Sequence, residues 1–213
     1  LDQPAILRQQ LRALLRAAGD GELRVMFPMV ATVDEFCRAR DMLDRECDAA
    51  KGAGESLPAN LHVGAMLEVP ALLWQLPALL AKVDFLSIGT NDLVQFLFAS
   101  DRGNAKISRR YGILAPAMLS LMRHLVRACE DAGVPLAVCG EAAGEPLEAM
   151  ALIGLGVRNL SMAPRRVGPV KLMCRSLAAA PLADYLDTLY DTAKASLRDD
   201  LLAFAKDHGV EIV

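Results

Sequence analysis

Aromatic residues are scarce: one Trp, three Tyr and six Phe make up 5% of 213 residues. Ala, Leu, Val and Met must therefore supply most of the 54% apolar fraction and of any core. The three His, at 62, 124 and 208, sit in unrelated contexts and make neither a metal nor a triad pattern. No run of about 18 apolar residues occurs, so no membrane span is expected. The longest candidate, 71–81, is short and holds Gln75 and Pro77. Asp2, Arg8 and Arg12 break any apolar run at the start, so no signal peptide is expected. The balance of 23 basic and 26 acidic residues leaves a net charge of −3, without the basic excess of a nucleic-acid binder. It leaves room for an anionic small molecule, since a few Arg act locally. The five Cys are odd in number and scattered, with no metal-ligand or redox spacing. They read as reduced thiols of a cytoplasmic protein, with Cys139 set apart by its position. Neither G-x-G-x-x-G nor G-x-x-x-x-G-K-[ST] is present, so there is no nucleotide phosphate loop.

What is present is an alternation of two periodicities. The spacing predicts a helix over 4–18, ended by Gly19-Asp20-Gly21. A strand follows over 23–30 (LRVMFPMV), then a helix capped by Thr32 and running to about Lys51. Next come a strand over 62–69 (HVGAMLEV), a helix from Pro70 to about Lys82, and a strand over 83–89. A short helix after Asn91 leads to a loop over 100–112 and a long helix over 116–133. Strand four is 135–140 (PLAVCG), a helix covers 145–156, and strand five is 157–163 (VRNLSMA). A helix from Pro164 or Arg165 reaches about Ala178; Pro181 is expected to break the chain, and 182–208 to form one amphipathic helix. Strands alternating with helices mean an α/β fold with a parallel sheet. Runs such as FLSIG and LAVCG are apolar on both faces, as covered parallel strands must be. With no long linker, 1–213 reads as one domain; the start on Leu1 reads as that of a fragment of a longer chain.

Polar residues gather where strands end: Glu68, then Gly89-Thr90-Asn91-Asp92, then Cys139-Gly140-Glu141, with Ser161 on strand five. Both a (β/α) barrel and an open doubly wound sheet build ligand sites at strand C-termini. Glu68 and Asp92 are carboxylates on successive strand ends, which suits a hard cation such as Mg2+; each also has a plain alternative as a helix cap. Arg102, in an Asp-Arg-Gly-Asn turn, has the planar fork that grips phosphate or carboxylate, or is an exposed turn residue. Arg24, inside an apolar strand, should face a polar barrel mouth, find a partner or reach solvent from the strand start. Cys139 is either a core filler or a proton donor on the edge where the polar residues collect.

The run DFLSIGTNDLVQFLFASDRGN (84–104) resembles the second signature of phosphoenolpyruvate-utilising enzymes. With LRVMFPMV, VGAMLEVPA, AVCGEAAGEP and NLSMAP in order, the resemblance covers nearly the whole chain and is nearest to the phosphoenolpyruvate-protein phosphotransferases, enzyme I of the bacterial phosphotransferase system. The Phe-Ala-Ser-Asp-Arg-Gly-Asn variant is closer to the nitrogen-regulatory branch. Gly103-Asn104 argues against the other possible source, a fragment of a dikinase or synthase.

The resemblance implies a (β/α)8 TIM-barrel fold, here a partial barrel of about five parallel strands plus a C-terminal helix. It implies that Glu68 and Asp92 hold Mg2+, and that Arg24, Asn91, Asp92 and Arg102 form the substrate site. It implies that Cys139 protonates the enolate carbon to give pyruvate. The acceptor His, a phosphocarrier beyond it and the early strands with further Arg belong to parts outside this chain. This chain alone is then expected to bind phosphoenolpyruvate weakly and turn over nothing. A homodimer is implied as well, with no nucleic-acid or membrane partner. A non-catalytic, phosphoenolpyruvate-sensing dimerisation module is the remaining alternative.

Overall fold

The computed structural model describes residues 1, 3–104, 110–190 and 192–212. The loop expected over 100–112 therefore falls partly outside the described residues, at 105–109. The elements in chain order are α1 (Pro4–Ala18), β1 (Glu22–Phe27), α2 (Val33–Gly52), β2 (Asn60–Leu67), α3 (Leu76–Leu80), β3 (Phe85–Gly89), α4 (Thr90–Leu97), α5 (Pro116–Ala132), β4 (Leu136–Cys139), α6 (Pro146–Gly154), β5 (Asn159–Leu160), α7 (Pro164–Ser176), α8 (Ala179–Asp187) and α9 (Arg198–Asp207). Short 3-10 turns occupy Pro70–Gln75 and Glu141–Gly144. The chain divides into two compact units, Leu1–Leu86 and Ser87–Val213, with the boundary inside β3.

The five strands form one parallel sheet in the order β1-β2-β3-β4-β5. Each crossover advances to the next position in the same direction. A doubly wound sheet reverses direction at its middle, so this order matches barrel-type winding and is consistent with a partial barrel. In the first unit, β1 and β2 pair from Glu22 opposite Asn60 to Phe27 opposite Ala65. Val25, Phe27, Val63, Ala65 and Leu67 are buried. Gly64 has to be glycine, because a Cβ there would lie 2.5 Å from the Phe85 carbonyl oxygen. In β3, both faces are buried from Leu86 to Gly89, as the FLSIG pattern predicts.

Thr32 caps α2 as expected: it accepts from the Glu35 amide, and Glu35 reaches back to the Thr32 amide. Several boundaries differ from the sequence expectation. Strand one stops at Phe27 because Pro28 has no N–H and Met29 turns to φ +54°. The helix from Pro70 splits into a 3-10 turn and α3, with Pro77 restarting the ladder in the first turn of α3. Strand five is reduced to Asn159–Leu160. Pro181 does not break the chain; it lies in the first turn of α8, where its missing N–H has no helical acceptor to lose. The single helix expected over 182–208 is two, α8 and α9. Thr188 ends the first by donating its hydroxyl to the Tyr185 carbonyl at 2.7 Å, and the Leu197 amide is drawn to the Leu114 carbonyl at 2.9 Å.

Candidate active site

In the first unit, Glu68 follows β2 by one residue and is only 4% exposed. Its Oε1 accepts the Met29 amide at 2.7 Å. That bond holds the loop after β1 in the left-handed conformation a non-glycine residue otherwise avoids. Glu68 is thus no helix cap. Of the outcomes expected for Arg24, the structure shows a partner and access to solvent. Arg24 is the third residue of β1, its side chain is 61% exposed, and its Nε donates to Glu22 at 2.7 Å. Val25 and Phe27 occupy the buried face, so alternation puts Glu22 and Arg24 together on the other. The pairing holds the Glu22 carboxyl below its ordinary range.

The second unit brings the remaining predicted residues together. Gly89 precedes α4 without a side-chain cap, which leaves Asn91 and Asp92 in the first turn. Asp92 is not the cap either; it sits two residues in, where the helix dipole favours an anion, 3.5 Å from the Arg102 Nη2. Arg102 is held by its backbone as well, its amide donating to Gln95 Oε1 at 3.2 Å. The Gly103 amide closes the turn onto Asp101 Oδ1 at 2.8 Å.

Cys139, the last residue of β4, is bound to β3 and the start of α4 by three hydrogen bonds. Its Sγ receives the Ser87 hydroxyl at 3.4 Å and donates to the Ile88 carbonyl at 3.3 Å. The Thr90 hydroxyl donates to the Cys139 carbonyl at 3.0 Å. The following Gly140 has φ +108°, and a Cβ there would sit 2.4 Å from Thr90 Oγ1 and 3.2 Å from Asn91 Oδ1. Only glycine allows this approach. Beyond it, the Glu141 amide donates to Asn91 Oδ1 at 3.4 Å, which orients the Asn91 amide group.

A cavity of about 540 Å³ opens on these residues, lined among others by Asn91, Cys139, Gly140, Ser161, Arg165 and Arg166. Arg166 is tied to Glu145 at 2.6 Å, and Arg165 is exposed. A neighbouring hollow of about 520 Å³ shares Asn91 and adds Thr90, Arg102, Tyr111 and Glu148. Asn91, Asp92, Arg102 and Cys139 therefore share one neighbourhood of the second unit. Sequence reasoning assigned no role to Ser87, Thr90, Gln95 and Arg166. The first two carried a signal: polar side chains inside the buried run FLSIGT must find partners.

Among the described residues, no group of three or more His, Cys, Asp or Glu is arranged to hold a metal. Glu68 and Asp92 are hard oxygen donors of the kind Mg2+ takes one or two of, the rest coming from substrate and water. The donor chemistry fits that ion.

Residues 1–179 match the family described as PEP-utilising enzyme, PEP-binding domain. The chain belongs to that family. It is 39% identical over 97% of its length to a Latilactobacillus sakei protein named phosphoenolpyruvate-protein phosphotransferase, covering 36% of that protein. It is 38% identical over 99% of its length to an Escherichia coli K12 protein named phosphoenolpyruvate-dependent phosphotransferase system, covering 28% of it. The chain thus spans about a third of the length of these relatives. Among solved structures, a citrate lyase from Burkholderia xenovorans LB400 shares the fold, with TM-score 0.56, 16% identity, 97% of this chain and 70% of that one. No helix among the described residues is long and apolar enough to cross a membrane.

Proposed function

We propose that this chain binds phosphoenolpyruvate for phosphoryl transfer to a histidine carried on another domain, releasing pyruvate. The observation that carries the proposal is the gathering of Asn91, Arg102 and Cys139 around adjoining hollows at the ends of β3 and β4. Arg102 offers a guanidinium to the substrate's phosphate or carboxylate oxygens, and Asn91 offers an amide already oriented by Glu141. As the P–O bond breaks and the phosphoryl group leaves for the histidine, enolate charge develops and these dipoles stabilise it. Cys139 then donates its S–H proton to the enolate carbon, which gives pyruvate and a thiolate.

Glu68 and Asp92 would be the residues to hold Mg2+, which would supply charge neutralisation to the phosphoryl oxygens. Arg24, exposed and paired with Glu22, is the weakest member of the substrate set. A phosphocarrier downstream, a homodimer, a cytoplasmic setting and the nitrogen-regulatory branch complete the reading; their support is the run of family motifs.

The test is a calorimetric titration of phosphoenolpyruvate with Mg2+ into the intact protein and its Arg102→Ala variant. The variant should bind at least about tenfold more weakly, the order of one charge-assisted hydrogen bond. Equal affinities would remove Arg102 from the site.

A further inference from the structure

We infer that Ser87 is a positioning residue for the Cys139 thiol, poised to stabilise the thiolate left when the proton is given away. Ser87 is 5% exposed, lies within β3 and does not line the cavity that Cys139 opens on. It can act on a substrate only through the sulfur. Its hydroxyl donates to Sγ at 3.4 Å, while Sγ donates its own hydrogen to the Ile88 carbonyl at 3.3 Å. The two contacts divide the roles. Ile88 holds the thiol hydrogen against the strand, and rotation about Cβ–Sγ releases it toward the cavity. Ser87 stays aimed at the sulfur throughout.

A neutral O–H to thiol bond is weak. It becomes charge-assisted once the sulfur is anionic, so its stabilisation appears only as the proton leaves. In the step itself, the S–H bond breaks, a C–H bond forms at the enolate carbon, the enolate oxygen becomes the ketone of pyruvate, and the sulfur keeps the electron pair. Water returns the proton afterwards. The Thr90 bond to the Cys139 carbonyl and the tight Gly140 turn fix the backbone, so the sulfur cannot drift from Ser87.

This inference rests on the proposed role of Cys139, but its first test needs no substrate. The intact protein and its Ser87→Ala variant are treated with iodoacetamide across a pH range, and Cys139 is followed by peptide mass spectrometry. The alkylation rate at neutral pH, relative to its alkaline plateau, should fall about tenfold in the variant, equivalent to the loss of one hydrogen bond to the charged form. Ser87→Thr, which keeps the hydroxyl, should restore it. An unchanged profile in Ser87→Ala overturns the inference.

Buried Cys129 reports on packing in the same digest; should it become reactive in Ser87→Ala, Ser87→Thr and its isostere Ser87→Val decide, since only the loss of the hydroxyl should slow Cys139. With phosphoenolpyruvate, Ser87→Ala should lower kcat for pyruvate formation and leave KM near the wild-type value. A changed alkylation profile with unchanged kcat would uphold the Ser87–Cys139 contact and refute Cys139 as the acid.

Discussion

In the first unit, α1 and α2 are joined by a carboxylate held from two sides: the Glu46 side chain is fully buried and accepts from both Arg8 and Arg12. In the second unit, Asp92 and Arg102 meet only loosely, at 3.5 Å, with the guanidinium more than half exposed. The charged groups are the same, guanidinium and carboxylate, and the consequences differ. Two cations around one buried anion occupy both of its oxygens, and they pull the Glu46 carboxyl below its ordinary range, Arg12 first and Arg8 second. A single exposed cation beside a single anion in a helix's first turn can exchange its partner for phosphate at modest cost. Tightness recurs in the second unit one layer back, where Ser87 holds the Cys139 sulfur and Thr90 and Gly140 hold the backbone that carries it. Rigid support beneath loosely paired charges is the arrangement a binding site needs.

The largest expected effect tests that support. Gly140→Ala would strain a residue at φ +108° and push a methyl to 2.4 Å from Thr90 Oγ1. It should destabilise the protein by about 2–3 kcal/mol and abolish phosphoenolpyruvate-dependent activity. Urea denaturation and an activity assay on the intact protein check it; a variant of wild-type stability and activity would mean the turn is not the rigid base described.

Glu46→Ala tests the other side of the comparison. Arg8 and Arg12 are half exposed and can return to water, so the loss should be about 1–2 kcal/mol, below that of a pair buried on both sides. Catalysis in the intact protein should be unaffected. Because the folded carboxyl is held low, this contribution is fully present above the ordinary carboxylate range and is lost as pH falls through the lowered folded value. Denaturant midpoints of wild type and Glu46→Ala should therefore converge toward acid pH. Parallel curves would count against the clamp.

Legibility in the sequence followed how local each cause is. The capping of α2 by Thr32 with Glu35 three residues on, and the strand-to-helix passage at Gly89-Thr90, are written in neighbouring residues, and both are present. The break between α8 and α9 is not local. Each half carries the same apolar spacing, and what interrupts them includes the long-range bond from Leu197 to Leu114. Pro181 misled for a related reason, since a proline's effect depends on where its helix begins, and that is set by packing. At the site, Asn91, Asp92, Arg102 and Cys139 were visible through their motif. Ser87 was masked by its place in an apolar run, and the bond from Thr90 to the Cys139 carbonyl is long-range; Arg24 was visible, but its pairing with Glu22 follows from strand alternation, which puts its apolar neighbours on the opposite face.

The smallest effect concerns the buried thiol of Cys129. Burial pushes Cys129 up to about 11. At pH 8 it should alkylate at least about a hundredfold more slowly than an ordinary exposed thiol, because so little of it is thiolate. Rapid native labelling of Cys129 would show that α5 does not seal it as described.

The most direct measurement is pyruvate formation by the intact protein carrying Cys139→Ala, with phosphoenolpyruvate affinity measured alongside. Removing the proton donor should slow pyruvate formation by about 10²–10⁴-fold and leave affinity within about threefold. Pyruvate released at the wild-type rate would contradict the account, because Cys139 would then be a packed thiol beside a binding site and not the acid that completes the reaction.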